Sequence, residues 1–248
     1  IHAEVEPHPT ALVLTSTTPD GEAHGPYEIP LEPRALLEEA QRGGFFSYAA
    51  GVAYQVLTNY RVRGLAIRNF KTDLPIKKGL SSSAAISVLT ARAFNRVYDL
   101  RLTVRGEMEL AYQGEITTPS RCGRMDQGCA FGDRAVLMEF DGDRLSTEEI
   151  RPAKELHFVV VDLKARKDTV EILKRLNRSY PFADGPVEKG VQELLGPVNR
   201  RIVHQARQAL ERGDAEGLGA LMGEAQAFFD RYAAPACPEE LQAPVLHR

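Results

Sequence analysis

The stretch that most constrains the fold of this 248-residue chain is Pro75–Ala85, PIKKGLSSSAA, where a glycine-led turn runs into a helix. The residues after the serines, AAISVLTARAFNRVYDL, carry Ile86, Leu89, Ala93 and Val97 at helical spacing. The two alanines at the start of this segment favour the beginning of a helix. A helix N-terminus presents backbone N–H groups without intrahelical partners and the positive end of the helix dipole. The sequence therefore predicts an anion site at this turn, with phosphate as its usual occupant.

The three serines of the turn have two interpretations. The hydroxyls of Ser81, Ser82 and Ser83 can donate hydrogen bonds to phosphate oxygens or bind a magnesium ion, which prefers oxygen ligands. Alternatively, one serine caps the helix and the others contact water. The turn is not a Walker A loop, because the pattern GxxxxGK(S/T) is absent and two lysines precede the glycine.

A second helix is predicted over Thr103–Ile116, with Thr103 as its N-cap. The apolar stripe of this helix consists of Val104, Met108 and Ala111. Glu115 continues the stripe, so we expect its carboxylate to point towards the apolar side, where it needs a partner such as a cation. The alternative is that the helix frays near Gly114 and that Glu115 reaches water.

Asp126 is the second candidate acid, in the segment CGRMDQGCAFG. It lies beside Arg121 and Arg124 in a loop rich in glycine and cysteine. An acid beside two arginines is more often an ion pair than a catalyst, and both interpretations stay open.

The remainder of the chain divides near residue 150 into a mixed α/β part, 1–150, and a helix-rich part, 151–248. Strands are predicted at TALVLTSTT, AHGPYEIPL, VRGLAIRNF, RAVLMEF and LHFVVVDL. Helices are predicted at PRALLEEAQ, at FFSYAAGVAYQVLTNY and almost throughout from Lys167 onward, with an irregularity at Gly196-Pro197.

Charge and composition favour a small-molecule partner. The chain has 31 Lys and Arg against 34 Asp and Glu, a net charge of −3, and the charges are scattered, which argues against nucleic acid or an anionic membrane. No apolar run approaches the roughly 18 residues that span a bilayer, so we expect a cytoplasmic protein. Cys122, Cys129 and Cys237 lack metal-site spacing and are expected to be free thiols.

Two of these segments together resemble the GHMP kinases, the family of galactokinase, homoserine kinase and mevalonate kinase. PIKKGLSSSAA is similar to the second family motif, P-x-x-x-G-L-(G/S)-S-S-A-A, which wraps the phosphates of ATP. CGRMDQGCAFG is similar to the C-G-x-M-D-Q segment of galactokinase and arabinokinase. In these kinases a magnesium-binding Glu precedes a catalytic Asp by about a dozen residues, and here 126 − 115 gives 11.

The resemblance implies a role for each candidate residue. The ATP phosphates would lie against the segment Gly79, Leu80, Ser81, Ser82, Ser83 and Ala84. Ser83 and Glu115 would bind Mg²⁺, and Asp126 would orient or deprotonate the attacking hydroxyl. Arg121 and Arg124 would hold an acidic group of the substrate, although pairing with nearby acids is the alternative.

The resemblance also implies an α+β fold with two domains, the GHMP kinase N-terminal domain over 1–150 and an incomplete C-terminal domain over 151–248. The first family motif, P-x-R-(V/I)-x-(L/I)-x-G-E-H, and the glycine-rich third motif are absent, so we expect a chain truncated at both ends. The implied activity is ATP-dependent phosphorylation of a sugar or sugar acid. Mevalonate as substrate and a non-catalytic nucleotide- or sugar-binding relative remain alternatives, and the oligomeric state is not predicted.

Overall fold

The computed structural model describes residues 1–74, 79–120, 122–142, 144–163 and 168–242, without the side chains of residues 169 and 170. Pro75–Lys78 of the serine-rich turn and Arg121 therefore lie outside the described residues. The chain forms two compact units, Ile1–Asp133 and Arg134–Arg248. The predicted assignment of family domains to 1–150 and 151–248 stays a prediction.

The first unit contains a four-stranded sheet in the order β1-β4-β2-β3. The strands are β1 (His2–His8), β2 (Ala11–Thr17), β3 (Ala23–Pro30) and β4 (Gly64–Lys71). β2 runs parallel to β4 and antiparallel to β3, and β1 runs antiparallel to β4. Leu12 pairs with Leu65 and Leu14 with Ile67, and all four side chains are buried. Apolar residues at alternate positions of neighbouring strands thus give the sheet one core-facing side.

Helices complete this unit. They are α1 (Pro33–Arg42), α2 (Ser47–Asn59), α3 (Ser82–Tyr98), α4 (Val104–Ile116) and a short 3-10 helix (Asp126–Phe131). The Oγ1 atom of Thr103 accepts a hydrogen bond from the Gly106 N–H at 3.2 Å, which confirms the predicted N-cap. Only five residues separate α3 from α4, so the two helices pack as an antiparallel hairpin.

The second unit begins with an antiparallel hairpin of β5 (Ala135–Asp141) and β6 (Arg144–Ile150). Helices follow, as predicted: α5 (Thr169–Asn177), α6 (Pro186–Glu193), α7 (Asn199–Arg212), α8 (Ala215–Tyr232), a 3-10 turn (Ala234–Ala236) and α9 (Pro238–Leu241). A π-helical turn, Leu194–Val198, joins α6 to α7 at the predicted irregularity. Leu194, Val198 and Ile202 pack with Ala233 in one apolar cluster.

One predicted strand is wrong and two strands were missed. LHFVVVDL has no strand hydrogen bonds within the described part of the chain, and Val159 is 91% exposed. β-Prone apolar residues need a neighbouring strand for their backbone groups, and no described strand lies against this segment. The missed strands, HAEVEPH in β1 and RLSTEEI in β6, are mostly polar. Among the described helices, none is long and apolar enough to cross a membrane.

Candidate active site

The serine-rich turn enters α3 with an unusual backbone. Ser81, the residue before the helix, has φ +54° and ψ +45°, in the left-handed region that non-glycine residues rarely adopt. Gly79 also has a positive φ, +78°, and a Cβ built on it would meet open space. A strained serine two residues after a glycine with an uncrowded surface indicates a turn shaped for a contact outside the helix.

The Ser81 hydroxyl makes no capping hydrogen bond, so the alternative that this serine caps the helix is wrong. The first backbone bond of the helix runs from the Ala85 N–H to the Ser81 carbonyl at 3.1 Å. The N–H groups of Ser82, Ser83 and Ala84 precede that bond and have no acceptor within the helix. Three donors at the positive end of a 17-residue helix can bind an anion.

Glu115 is fully buried one residue before the end of α4, which confirms the prediction that its carboxylate points inward. The helix continues to Ile116, so the alternative of fraying at Gly114 is wrong. The Oε2 atom accepts a hydrogen bond from the Nε2 atom of Gln127 at 2.7 Å, whereas Oε1 has no partner among the described residues. A buried carboxylate oxygen without a partner is costly, and a bound cation would supply one.

The residues around Glu115 fit magnesium better than a transition metal. Within the described ranges no group of three or more His, Cys, Asp or Glu side chains is arranged to bind a metal. Magnesium in phosphate-binding enzymes is commonly held by one or two protein oxygens together with substrate phosphates. One buried carboxylate near a serine-rich helix start matches that requirement.

The α3–α4 hairpin brings Ser83 and Glu115 to the same end. Asn95 of α3 donates a hydrogen bond to Glu107 of α4 at 2.8 Å and thereby fixes the register of the two helices. From this pair Ser83 is 95 − 83 = 12 residues away and Glu115 is 115 − 107 = 8 residues away in the same direction. At a rise of about 1.5 Å per residue, Ser83 lies about 6 Å beyond the level of Glu115 along the hairpin.

Asp126 is the first residue of the 3-10 helix and is half-buried. Its neighbour Gln127 is fully buried and bonds Glu115, so the 3-10 helix is held against the end of α4. Consecutive Cα atoms lie about 3.8 Å apart, and the contact therefore places Asp126 near Glu115. The structure thus brings the two predicted acids together through a glutamine that the sequence reasoning did not single out.

An ion pair between the partly buried Arg92 and the buried Glu107 fixes the elements that carry these residues. Arg92 of α3 donates from Nε to Glu107 of α4 at 2.8 Å and from its guanidinium to the carbonyl of Ala130 at 2.7 Å. Asn95 donates to the second oxygen of Glu107. One arginine therefore joins α3, α4 and the 3-10 helix, a role that sequence spacing alone did not indicate.

Arg124 packs against α4. Its guanidinium carbon lies 4.8 Å from the centre of the Tyr112 ring, and a guanidinium nitrogen lies 3.5 Å from Glu109. The contact with Glu109 agrees with the alternative prediction, in which Arg124 pairs with a nearby acid. A substrate contact for Arg124 stays a prediction, as does one for Arg121, which lies outside the described residues.

The cysteines of this region are free thiols, as expected, and so is Cys237. The Cys122 sulfur accepts a hydrogen bond from Gln127 Nε2 at 3.2 Å. Burial, together with the negative charge of Glu115, raises the pKa of the Cys122 thiol to about 12. Cys122 is therefore a neutral neighbour of the site at ordinary pH, not a nucleophile or a metal ligand.

Known proteins resemble this chain in sequence and in fold. A family model described as GHMP kinases N terminal domain matches residues 47–133, from α2 to the end of the first unit. The galactokinase of Thermotoga maritima is 29% identical, with the match covering 67% of this chain and 55% of that protein. The galactokinase of Thermococcus kodakarensis is 28% identical over 76% of this chain and 60% of its own length.

Solved structures show the same fold. Lactococcus lactis galactokinase, complexed with galactose, aligns with a TM-score of 0.65 at 16% identity over 93% of this chain and 67% of its own length. L. major mevalonate kinase, in complex with R-mevalonate, aligns with a TM-score of 0.58 at 20% identity over 93% of this chain and 65% of its own. The predicted α+β, two-domain fold is confirmed. The chain spans about half the length of the curated relatives that it matches, and its similarity to the GHMP kinase N-terminal domain covers residues 47–133.

Proposed function

We propose that this chain carries the nucleotide and metal site of an ATP-dependent kinase that phosphorylates a hydroxyl group of a sugar or sugar acid. The observation that carries the proposal is the buried Glu115, whose Oε1 lacks a partner among the described residues, at the same end of a helix hairpin as the serine-rich helix start. Asp126 adjoins this pair through Gln127. An anion site, a cation ligand and an acid in one place are the parts that phosphoryl transfer requires.

The helix start would bind the phosphates of ATP. Phosphate oxygens would accept hydrogen bonds from the N–H groups of Ser82, Ser83 and Ala84. The turn at Gly79, with its positive φ angle, would lie against the same phosphates. Ser83 and Glu115 would hold Mg²⁺. When bound, the ion neutralises charge on the phosphates and on the transferring group. The burial of Glu115 excludes water from its carboxylate and strengthens its attraction for a cation.

Asp126 would act on the acceptor. Its carboxylate accepts a hydrogen bond from the substrate hydroxyl and takes up the proton as the hydroxyl oxygen forms a bond to the γ-phosphorus of ATP. The bond between that phosphorus and the β–γ bridging oxygen breaks, and ADP leaves. The half-buried position of Asp126 leaves its side chain accessible to a small molecule.

A sugar is the favoured acceptor. The sequence relatives reported above are galactokinases, and CGRMDQ is similar to the corresponding galactokinase segment. The mevalonate kinases are similar in fold at 15–20% identity, which carries no information on substrate. A cytoplasmic location stays a prediction.

The test is phosphoryl transfer by the purified chain with ATP and Mg²⁺ against galactose, arabinose, glucuronate, a heptose phosphate and mevalonate. We expect turnover with one of the sugars or with the sugar acid. Turnover with mevalonate alone would establish the alternative acceptor. Binding of ATP without turnover on any acceptor would favour a non-catalytic nucleotide-binding relative.

A further inference from the structure

Gln127 is the polar residue in contact with Glu115 that the proposed chemistry does not use. Its side chain is fully buried, and its Nε2 atom donates both to Glu115 Oε2 at 2.7 Å and to the Cys122 sulfur at 3.2 Å. The Oε1 atom of the amide has no hydrogen-bond partner among the described residues. The Gln127 amide therefore donates both of its protons, to Glu115 and to Cys122, while its oxygen has no partner among the described residues.

Packing alone does not explain a glutamine at this position. A buried amide oxygen without a partner costs on the order of 1–3 kcal/mol, whereas a methionine of similar shape would fill the space without that cost. The donor group must therefore supply something that an apolar side chain lacks. What it supplies here is a fixed direction for the Glu115 carboxylate.

The direction of that carboxylate decides which oxygen faces a cation. With Oε2 held by the amide, the carboxylate cannot rotate without losing a buried hydrogen bond, and Oε1 stays the oxygen with free lone pairs. Because Gln127 follows Asp126 directly, the same bond also sets the distance between the two acids. An amide is suited to this task because it donates without adding charge, whereas a carboxylate in its place would repel Glu115.

We propose that Gln127 is a positioning residue that orients the Glu115 carboxylate towards Mg²⁺. This inference rests on the proposed function, in which Glu115 binds the ion that accompanies ATP. Groups that orient metal ligands commonly contribute about 10- to 100-fold to metal affinity. The Gln127 amide should therefore act on the magnesium-dependent part of ATP binding and leave the affinity for metal-free ATP unchanged.

Isothermal titration calorimetry tests this inference, because the dissociation constant of ATP can be measured in EDTA and in excess Mg²⁺. The ratio of the two constants is the magnesium enhancement. We expect Gln127→Met to lower the enhancement about tenfold with the EDTA value unchanged. The matched control is Gln113→Met on α4, which removes a Gln-to-Glu hydrogen bond of 2.7 Å, from Gln113 to Glu109, outside the proposed metal site. This control should keep the wild-type ratio.

A double substitution separates positioning from structural support. If Gln127 acts through Glu115, then Glu115→Gln/Gln127→Met has the same magnesium enhancement as Glu115→Gln alone. If circular dichroism shows that Gln127→Met does not fold, Gln127→Asn decides instead, because it keeps the amide but withdraws it by one methylene. The same loss of enhancement is expected for Gln127→Asn.

The outcomes distinguish this inference from the proposed function. If ATP binding by the wild-type chain is enhanced by magnesium and both Gln127→Met and Gln127→Asn show the same enhancement, the role of Gln127 is overturned. The proposed function would still stand. A wild-type chain that binds ATP with no magnesium enhancement, or does not bind ATP, would overturn the proposed function and this inference with it.

Discussion

Gly51 of α2 lies so close to Gly114 of α4 that a Cβ atom on Gly51 would be 2.3 Å from the Gly114 carbonyl oxygen. The contact is reciprocal, because a Cβ on Gly114 would be 2.4 Å from a methyl carbon of Val52. The two helix backbones touch directly at the residue before Glu115.

Gly51→Ala should therefore lower the free energy of unfolding, by about 1–3 kcal/mol, because the helices must separate to admit a methyl group. Urea denaturation followed by circular dichroism measures the change. The control is Gly219→Ala on α8, where a Cβ meets open space and the helix propensity of alanine should raise stability by about 0.5–1 kcal/mol. Equal effects at the two glycines would contradict the close packing of α2 on α4.

Removal of the Arg92 guanidinium should destabilise the first unit strongly. Arg92→Met leaves Glu107, whose side chain is only 7% exposed, without its cationic partner and leaves the Ala130 carbonyl without this donor. Leaving a buried carboxylate without its cationic partner costs on the order of 1–3 kcal/mol. Thermal or urea unfolding measures the loss.

The comparison for Arg92 is Arg34→Met, the same substitution in a surface ion pair. The Arg34 side chain is 91% exposed and bonds Glu38 one turn along α1. Exposed pairs of this kind contribute little to stability because solvent screens them. If Arg92→Met costs no more than Arg34→Met, Arg92 does not hold the three elements together.

The helices of the site follow from local sequence signals. Period-3.6 apolar residues and the Thr103 cap predict α3 and α4, and the stripe that ends at Glu115 predicts its burial. These features depend on residues within one helix. They could therefore be predicted without knowledge of the tertiary fold.

The contacts between elements could not be predicted in this way. The bond from Gln127 to Glu115 and the role of Arg92 depend on how the 3-10 helix packs on α3 and α4. The strand error has a similar cause: LHFVVVDL carries a strong local strand signal without a described partner strand, whereas the polar RLSTEEI pairs with β5. Pairing decides which segment becomes a strand.

The raised pKa of Cys122 predicts slow alkylation of the folded chain. Burial raises this pKa to about 12, against about 8.5 for an unperturbed thiol, so at pH 9 very little thiolate is present. Iodoacetamide should modify Cys122 at least about a hundredfold more slowly in the folded chain than in urea, as measured by mass spectrometry. Equal rates in the two states would show that the thiol is not buried as described.

The same shift has a consequence for stability. A thiol whose pKa is higher in the folded state favours folding below its unfolded pKa, and this contribution is lost as the pH rises from about 8.5 towards 12. Unfolding measurements between pH 8 and pH 11 should show a smaller decline for Cys122→Ala than for the unsubstituted chain. An identical decline in the free energy of unfolding for the two proteins would contradict the raised pKa of Cys122.

The exposed segment Phe158–Val161 predicts self-association. Its four side chains are 62–91% exposed, and its backbone has no strand partner within the described ranges. Extended apolar segments of this kind pair readily between chains. Val159→Lys/Val161→Lys should reduce concentration-dependent light scattering, whereas Met222→Lys, at an isolated exposed position on α8, should not. Equal reduction by both substitutions would indicate a general effect of added charge.

In the proposed function, Asp126 serves catalysis, while Ser83, Glu115 and the helix start bind the nucleotide. The most direct measurement compares the unsubstituted chain with Asp126→Asn for phosphoryl transfer from ATP to the accepted sugar and for affinity for ATP with Mg²⁺. We predict that Asp126→Asn loses at least about a hundredfold in kcat, as expected for removal of a general base, with nucleotide affinity within about twofold of the original. Transfer that continues unchanged in Asp126→Asn, or a loss of nucleotide affinity equal to the loss of turnover, would contradict this division of roles.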